Sequence, residues 1–358
     1  MPEIRLPFYV RFSLLLLSAS LGIILLALGK GIFVPLAFSL LLAFLLYPSA
    51  KWLEMRVGMS KGVAAFLAVS GFTVIVACLL YFITFQVLQF SQDIPLLQQK
   101  ITSWIDGTQD WVIRKYHIED TKQLEYLHQV TNNVLNYAAT SLGSLFIGVA
   151  EFIFWMVLVF IYTYFILYHR KMLLHFIMRL FSRHHQDKVG NIVVDTRRVT
   201  YYYLKGLLIE FVVVAAANTL MFFAIGVKYA ILLGVFTALL NIIPYLGIII
   251  GCVLTLLVSL THGTPLLAFE AVSLLFILHV LDANILLPRV IGISLKLNSL
   301  VTIVSVLVGS VIWDISGMFL AIPLCATLKV IFDHIESLEP LGMVMGTEDR
   351  SPDQNEKI

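Results

Sequence analysis

Five carboxylates lie within or beside long apolar segments of this chain, where a charged side chain is expensive. A charged residue at the centre of a membrane helix costs about 2.5–3.5 kcal/mol on insertion scales, so such residues are candidates for function by default. In membrane proteins they bind ions, relay protons or line the path of a solute. The five are Glu151, Glu210, Glu270, Asp282 and Asp314.

Glu210 and Asp282 are the carboxylates whose positions are most informative. Lys205 lies five residues before Glu210, roughly 140° away around a helix. Glu210 therefore pairs elsewhere or faces a cavity. Asp282 forms one helical stripe with His279 and Arg289, which predicts either an ion pair that anchors a helix end or a part in transport. Asn284 and Glu270 form a neighbouring stripe. Glu270 and Glu151 lie near predicted span ends, where an interfacial position is expected.

A polar turn interrupts two apolar runs, residues 229–240 and 248–261. Each run is shorter than the roughly 20 residues that a spanning helix needs, so the pattern predicts a short hydrophobic hairpin. If its turn lies at membrane depth, freed carbonyls and helix termini can hold an ion or a polar solute. The alternative is a turn at the cytoplasmic surface, which needs no ligand. The candidate path residues of this hairpin are Asn241, Pro244, Tyr245 and Gly247.

A second hairpin is predicted from residues 299–312 and 318–331, which are broken at 313–317. Polar backbone exposed by a break inside the bilayer must be surrounded by protein or by a water-filled cavity. Two matched interrupted segments therefore point to a transporter's substrate path. Gly317 and Pro323 are its candidate path residues, while Asp314 at the bend is either functional or faces the outer surface.

Composition identifies the class of protein. The 358 residues are 59% hydrophobic and 13% charged, with a mean hydropathy of +0.93, whereas soluble domains are nearer 45–50% apolar and 25% charged. We expect an all-α, polytopic membrane protein with about eight membrane elements, two of them broken hairpins, plus extramembrane amphipathic helices. Besides the hairpins, six long apolar runs are evident: 12–28, 32–48, 62–90, 145–168, 204–227 and 266–287.

The chain divides into regions by apolar content and charge. Helical spacing of apolar residues predicts amphipathic helices on both sides of the membrane. Their apolar faces pack on each other, lie on lipid headgroups or form a homo-oligomer. The regions are 1–90, the first three spans; 91–142, extracytoplasmic amphipathic helices; 143–168, the fourth span; 169–202, cytoplasmic basic helices; 203–335, a transport core with both hairpins; and 336–358, a cytoplasmic tail.

Basic residues in the connecting loops predict the orientation, because cytoplasmic loops carry an excess of Lys and Arg. The clusters fall on one side if both termini are cytoplasmic. Aromatic residues near span ends, such as Trp52, Tyr201 and Tyr202, are typical of an interfacial belt. The basic clusters are Arg5 and Arg11; Lys51, Arg56 and Lys61; the basic residues of 170–198; and Arg289 and Lys296.

Two enzyme signatures are absent from the sequence. It contains neither a zinc-binding H-E-x-x-H motif nor a Walker-type phosphate loop. We therefore expect no enzyme and no cofactor or metal site. The expected partners are a small-molecule or ion substrate and the lipid bilayer, with no nucleic acid. The cysteines, Cys78, Cys252 and Cys325, lie inside apolar runs and are expected to be small buried hydrophobic residues.

Several ordered motifs between residues 201 and 333 resemble the autoinducer-2 exporter family of bacterial permeases. They are Tyr-Leu-Lys-Gly at 203–206, Gly-Val-Lys-Tyr-Ala at 226–230, Asn-Ile-Ile-Pro-Tyr-Leu-Gly at 241–247, Leu-Asp-Ala-Asn-Ile-Leu-Leu-Pro-Arg at 281–289, Gly-Met-Phe-Leu-Ala-Ile-Pro-Leu at 317–324 and Lys-Val-Ile-Phe-Asp at 329–333. The resemblance implies a multi-pass transporter of the bacterial inner membrane. The chain departs from the family's glycine-rich pattern at Ser310 and Asp314.

Three functions compete at this point. The leading one is export of a small polar solute by a secondary transporter, and the resemblance names the quorum-sensing signal autoinducer-2 as a candidate solute. The resemblance also implies an alternative, a sodium(lithium)/proton antiporter in which carboxylates bind the ion. A non-transporting membrane scaffold is the alternative from another class; it predicts stable partners and no solute flux.

Overall fold

A computed structural model of the chain describes residues 7–93, 95–97, 99–100, 102–103, 152–243, 246–290 and 297–347. Within these ranges the secondary structure is helical, without any strand, which confirms the predicted all-α class. Five helices are long and apolar enough to cross a membrane, and a sixth candidate is a helix pair bent by 71°. The chain is therefore a polytopic membrane protein.

The described part of the chain is a series of helices. Their bounds are α1 Phe8–Leu28, α2 Lys30–Arg56, α3 Lys61–Ser91, α4 Phe152–Tyr168, α5 Arg170–Arg179, α6 Gln186–Ala224, α7 Ala230–Asn241, α8 Leu246–His262, α9 Pro265–Val290, α10 Ser299–His334 and α11 Glu339–Met345. Within α9, residues Asp282–Leu286 form a π-helical turn.

Two compact units make up the chain. Unit 1 consists of Met1–Ser70, Leu158–Lys205 and Gly292–Ile358, and unit 2 of Gly71–Val157 and Gly206–Ile291. The predicted transport core, residues 203–335, contributes residues to both units. The candidate site is in unit 2, and the second hairpin is in unit 1.

The first predicted hairpin is present in unit 2 as α7 and α8. The two helices fold back on each other closely enough that a Cβ atom on Gly251 of α8 would lie 3.3 Å from Thr237 Cγ2 of α7. An apolar cluster that includes Phe222, Leu233 and Leu275 joins the hairpin to α6 and α9. Burial of these side chains places the polar end of the hairpin against two neighbouring helices.

The second hairpin lies within α10, where the backbone leaves helical geometry at two residues. Trp313 has φ −135° and ψ 26°, and Asp314 has φ 53° and ψ −140°. Ser305 Oγ consequently lies 2.8 Å from Cys325 Sγ, although a straight helix would separate these residues by about 30 Å. The break is shorter than the predicted one, residues 313–317, because only Trp313 and Asp314 leave helical geometry. Gly317 is helical and packs directly against Gly309.

The tip of this hairpin contacts the turn between α1 and α2. Trp313 Nε1 donates a hydrogen bond to the carbonyl oxygen of Leu26 at 2.9 Å. Lys30 Nζ lies 3.3 Å from Asp314 Oδ2, and both side chains are largely exposed. Asp314 is thus part of a surface ion pair rather than of a buried carboxylate site.

We expect Asp314→Gly to be more stable than Asp314→Ala by about 1–2 kcal/mol, because φ 53° is strained for any side chain with a Cβ atom and glycine adopts it freely. Both variants lose the carboxylate, so the comparison isolates the backbone. Lys30→Gln measures the exposed ion pair separately, and its expected cost is below about 1 kcal/mol. Thermal unfolding in detergent tests the order, and an alanine variant as stable as the glycine variant would contradict it.

Two details differ from the sequence-based expectations. The predicted fifth span, residues 204–227, and the cytoplasmic helix before it form one helix, α6, because Gln186–Ala224 contains no proline to end a helix. The prediction that all cysteines are buried is wrong, since Cys78 is exposed and the other two are half-buried. Most of the predicted outer helices, Glu151, Pro244, Tyr245 and the end of the tail lie outside the described residues.

Candidate functional site

Three polar residues from three helices meet in unit 2. The side-chain amide of Asn241, at the end of α7, donates a hydrogen bond to Asp282 Oδ2 of α9 at 2.7 Å. The same nitrogen lies 3.4 Å from Glu210 Oε1 of α6. Because an amide NH₂ has two donor hydrogens, one asparagine can serve both carboxylates at once. We call Glu210, Asn241 and Asp282 the carboxylate cluster.

Both carboxylates of the cluster are buried. Glu210 is 5% exposed and Asp282 is 7% exposed. The second oxygen of each, Glu210 Oε2 and Asp282 Oδ1, is also buried and has no hydrogen-bond partner in the described part of the chain. No Lys, Arg or His in the described ranges pairs with either carboxylate. A buried charge without a partner is costly, so the cluster is equipped to take up a proton, a cation or a polar donor group.

A small cavity adjoins the cluster. Its volume is about 20 Å³, and its lining includes Asn241 and Asp282 together with Asn218, Thr237 and His279. A space of this size holds about one water molecule. Asn218 Nδ2 donates to Thr237 Oγ1 at 3.0 Å, which joins α6 to α7. The cavity is therefore polar on several sides, although apolar helices surround it.

A π-helical turn of α9 adjoins the cluster. It begins at Asp282 and inserts one extra residue into the helical repeat. Turns of this kind are frequent at functional sites. The turn also changes the spacing between Asp282 and Arg289 on which part of the predicted stripe depended, whereas His279 precedes the turn. Asp282 bonds to Asn241 instead of to a cation.

Gly247 permits the close return of the first hairpin. It is buried, and a Cβ atom built on it would lie 2.5 Å from the carbonyl carbon of Leu240 and 2.7 Å from Asn241 Cα. These are backbone atoms, which cannot rotate away. Gly247 thus holds the start of α8 against the residue that carries the cluster's amide.

The other predicted path residues of the described ranges are not members of the carboxylate cluster. Asn284 is exposed, and its side chain donates to the carbonyl oxygen of Val280 at 2.7 Å. Gly317 and Pro323 are buried in unit 1, where Gly317 contacts Gly309. Glu270 is exposed on α9.

A second polar cluster in unit 2 was not singled out by the sequence. Asp93, just after α3, accepts a hydrogen bond from the Tyr229 hydroxyl at 2.5 Å and lies 3.1 Å from Lys228 Nζ. His262 Nε2 is 3.0 Å from the same carboxylate oxygen. The Tyr229 hydrogen bond, followed by the Lys228 charge, lowers the pKa of Asp93 below its ordinary value. Asp93 thereby joins α3, the α6–α7 connection and the end of α8.

Broken helical hairpins combined with buried carboxylates among apolar helices are typical of membrane transporters. Residues 14–337 match the family described as AI-2E family transporter. The match covers most of the chain, so the protein belongs to the AI-2E family of transporters.

Individual relatives agree with this assignment. The chain is 24% identical over 342 residues to the candidate transport protein YrrI of Bacillus subtilis, covering 92% of this chain and 93% of the relative. It is 26% identical over 308 residues to the candidate transport protein MT0215 of Mycobacterium tuberculosis, covering 82% and 80%. The candidate permease PerM of Escherichia coli is 28% identical over 194 residues, or 53% and 54% of the two chains.

Proposed function

We propose that the protein is a secondary transporter that exports a small polar solute, and that the carboxylate cluster lies on its path. The observation that carries this proposal is the pair of buried carboxylates, Glu210 and Asp282, each with an oxygen that lacks a partner in the described ranges. A structural role would favour satisfied groups, because an unpaired buried charge destabilises the fold. A site that binds and releases its occupant needs groups that are free when it is empty.

The first candidate solute is autoinducer-2, because the chain belongs to the AI-2E family of transporters, in whose name AI-2 abbreviates autoinducer-2. A small polar solute supplies hydroxyl donors for Glu210 and Asp282 and acceptors for the Asn241 amide. Movement would follow a rocking of helices around the cluster, as in transporters built on broken helices. A solute of that kind exceeds the cavity of about 20 Å³, so the hairpin must separate from α6 or α9 to admit it.

Sodium(lithium)/proton antiport is the alternative that the same carboxylates favour. Two carboxylates on one amide can exchange a proton for a small cation without any other charged group. In either case the expected location is the bacterial cytoplasmic membrane with both termini in the cytoplasm, in agreement with the distribution of Lys and Arg.

Flux through proteoliposomes tests the proposal and separates it from both alternatives. Liposomes with the purified protein are loaded with labelled autoinducer-2 and a pH-sensitive dye, and protein-free liposomes are the control. We expect protein-dependent efflux of the label. A dye response to sodium or lithium without efflux of the label would favour the antiporter. If neither occurs, the transport proposal fails and the scaffold reading gains support.

A further inference from the structure

Unit 1 contains a large basic pocket between the end of α2 and the first half of α6. Its volume is about 710 Å³, and four cations line it: Lys51, Arg56, Arg197 and Arg198. We propose that this pocket binds the phosphate headgroup of an anionic membrane lipid. The inference concerns a site in unit 1 and does not depend on the solute or on the direction of transport.

The positive charge of the pocket is not compensated by nearby carboxylates, and this is the first argument that a lipid phosphate occupies it. No acidic side chain lines the pocket. The two nearby carboxylates have other partners, since Glu54 pairs with Arg170 and Asp195 lies 3.3 Å from His334 Nε2. Among the described residues, none of the four lining cations has a carboxylate partner. Adjacent guanidinium groups favour a phosphate because each offers a planar pair of donors.

Helical spacing places the pocket-lining residues of α2 on one face of that helix and those of α6 on one face of the other. On α2, Pro48, Trp52 and Arg56 recur every four residues, and on α6 Arg197 and Arg198 are followed four residues later by Tyr201 and Tyr202. Residues four apart share a helix face. The two faces meet at Tyr47, over whose ring the Arg197 guanidinium lies 4.4 Å from the centroid. This cation–π contact holds an arginine at the pocket wall.

The level of the pocket along both helices indicates a lipid rather than a soluble anion. On α2 it overlaps the last residues of the apolar run 32–48 and continues to Arg56, and on α6 it ends just before the apolar run 204–227 begins. Trp52 and Tyr202 are 59% and 48% exposed there, as is usual for aromatic residues at the membrane–water interface. Lipid phosphates lie at this level, and basic pockets between membrane helices on the cytoplasmic side bind anionic headgroups.

Lipid titration of the purified full-length protein tests the proposal. Detergent-solubilised protein is titrated with phosphatidylglycerol, and the lipid-bound fraction is measured by native mass spectrometry. We expect Arg197→Gln/Arg198→Gln to weaken phosphatidylglycerol binding at least about tenfold, because two guanidinium groups that can form charge-assisted hydrogen bonds to the phosphate are removed. Lys171→Gln/Arg179→Gln on α5 removes the same charge from exposed positions outside the pocket and should bind as wild type does.

Three other outcomes would overturn the proposal. Equal loss in the α5 control would mean diffuse attraction to the protein's positive charge. Equal binding of phosphatidylcholine would mean that the charge is irrelevant, and displacement of the lipid by millimolar inorganic phosphate would identify a site for soluble phosphate. If the α6 variant fails to elute as a folded protein, Lys51→Gln/Arg56→Gln on α2 decides, with the same expected loss.

Discussion

Replacement of Asp282 by asparagine is expected to reduce flux at least about tenfold, equivalent to about 1.4 kcal/mol in the activation barrier, without loss of stability. The new amide has the same shape and can still accept the Asn241 hydrogen bond, which is 2.7 Å long in the wild type. It lacks the charge that binds a proton, a cation or a polar donor. Removal of a buried, unpaired charge should leave the midpoint of thermal unfolding unchanged or raise it. Proteoliposome flux and thermal unfolding measure the two effects.

Glu270→Gln is the matched control for this variant. Glu270 lies on the same helix, α9, but is exposed, so its neutralisation should leave flux unchanged. Glu210→Gln should behave like Asp282→Asn, and the double variant should lose little more, because residues that act as one site are not additive. Full flux in Asp282→Asn, or equal loss in Glu270→Gln, would contradict a role for the cluster.

Replacement of Gly247 by alanine is expected to destabilise the protein by about 2–3 kcal/mol and to reduce flux as well. The added Cβ atom would lie 2.5 Å from the Leu240 carbonyl carbon and 2.7 Å from Asn241 Cα. The arms of the hairpin must then separate, and overpacking of this kind typically costs 1–3 kcal/mol. Displacement of Asn241 also withdraws the amide from both carboxylates. Thermal unfolding and flux test the two consequences.

Gly251→Ala separates this effect from the general effect of adding a methyl group to α8. A Cβ atom there meets only side-chain atoms, the nearest being Thr237 Cγ2 at 3.3 Å. Alanine is also the better helix former by up to about 1 kcal/mol. We expect a nearly neutral effect on stability and on flux. A Gly247→Ala variant that is as stable as Gly251→Ala would show that the hairpin does not need the close approach.

Segment length and helix breakers were sufficient to predict the two hairpins. Runs too short to span a membrane, interrupted near Asn241 and Trp313, leave a reversal of the chain as the physical solution. The individual members of the carboxylate cluster were also predictable, because charge and amide groups are rare in apolar helices. Their association was not, since Asn241 is separated by 31 and 41 residues from its two partners.

The partner of Asp282 was beyond prediction for a local reason. Regular helical spacing favoured His279 and Arg289, but the π-helical turn at Asp282–Leu286 changes the spacing to Arg289, and His279 forms no ion pair with Asp282 in the described part of the chain. A turn of this kind has no compositional signature. The role of Gly317 could not be predicted for a different reason. A glycine at a predicted bend indicates either a substrate path or close helix packing, and in unit 1 Gly317 packs against Gly309.

The basic pocket was hidden for another reason. In the sequence, Lys51 and Arg197 indicate only the orientation of the chain in the membrane, because the order of residues does not show that α2 and α6 are neighbours. The sequence gives no sign of the partners of Asp93, because this residue follows an apolar run and has no charged residue close to it in the chain. Both sites are formed by tertiary contacts between segments that are distant in the sequence.

Contact between the tip of the second hairpin and the α1–α2 turn also affects the order of assembly during synthesis. Lys30 and Asp314 are 284 positions apart, and ribosomes add roughly 5–20 residues per second. The first two helices therefore wait roughly 15–60 s in the membrane before Trp313 can reach Leu26. Unit 1 closes only when its last hairpin has been inserted, so a chain that ends early leaves the N-terminal turn without this contact and open to quality-control proteases.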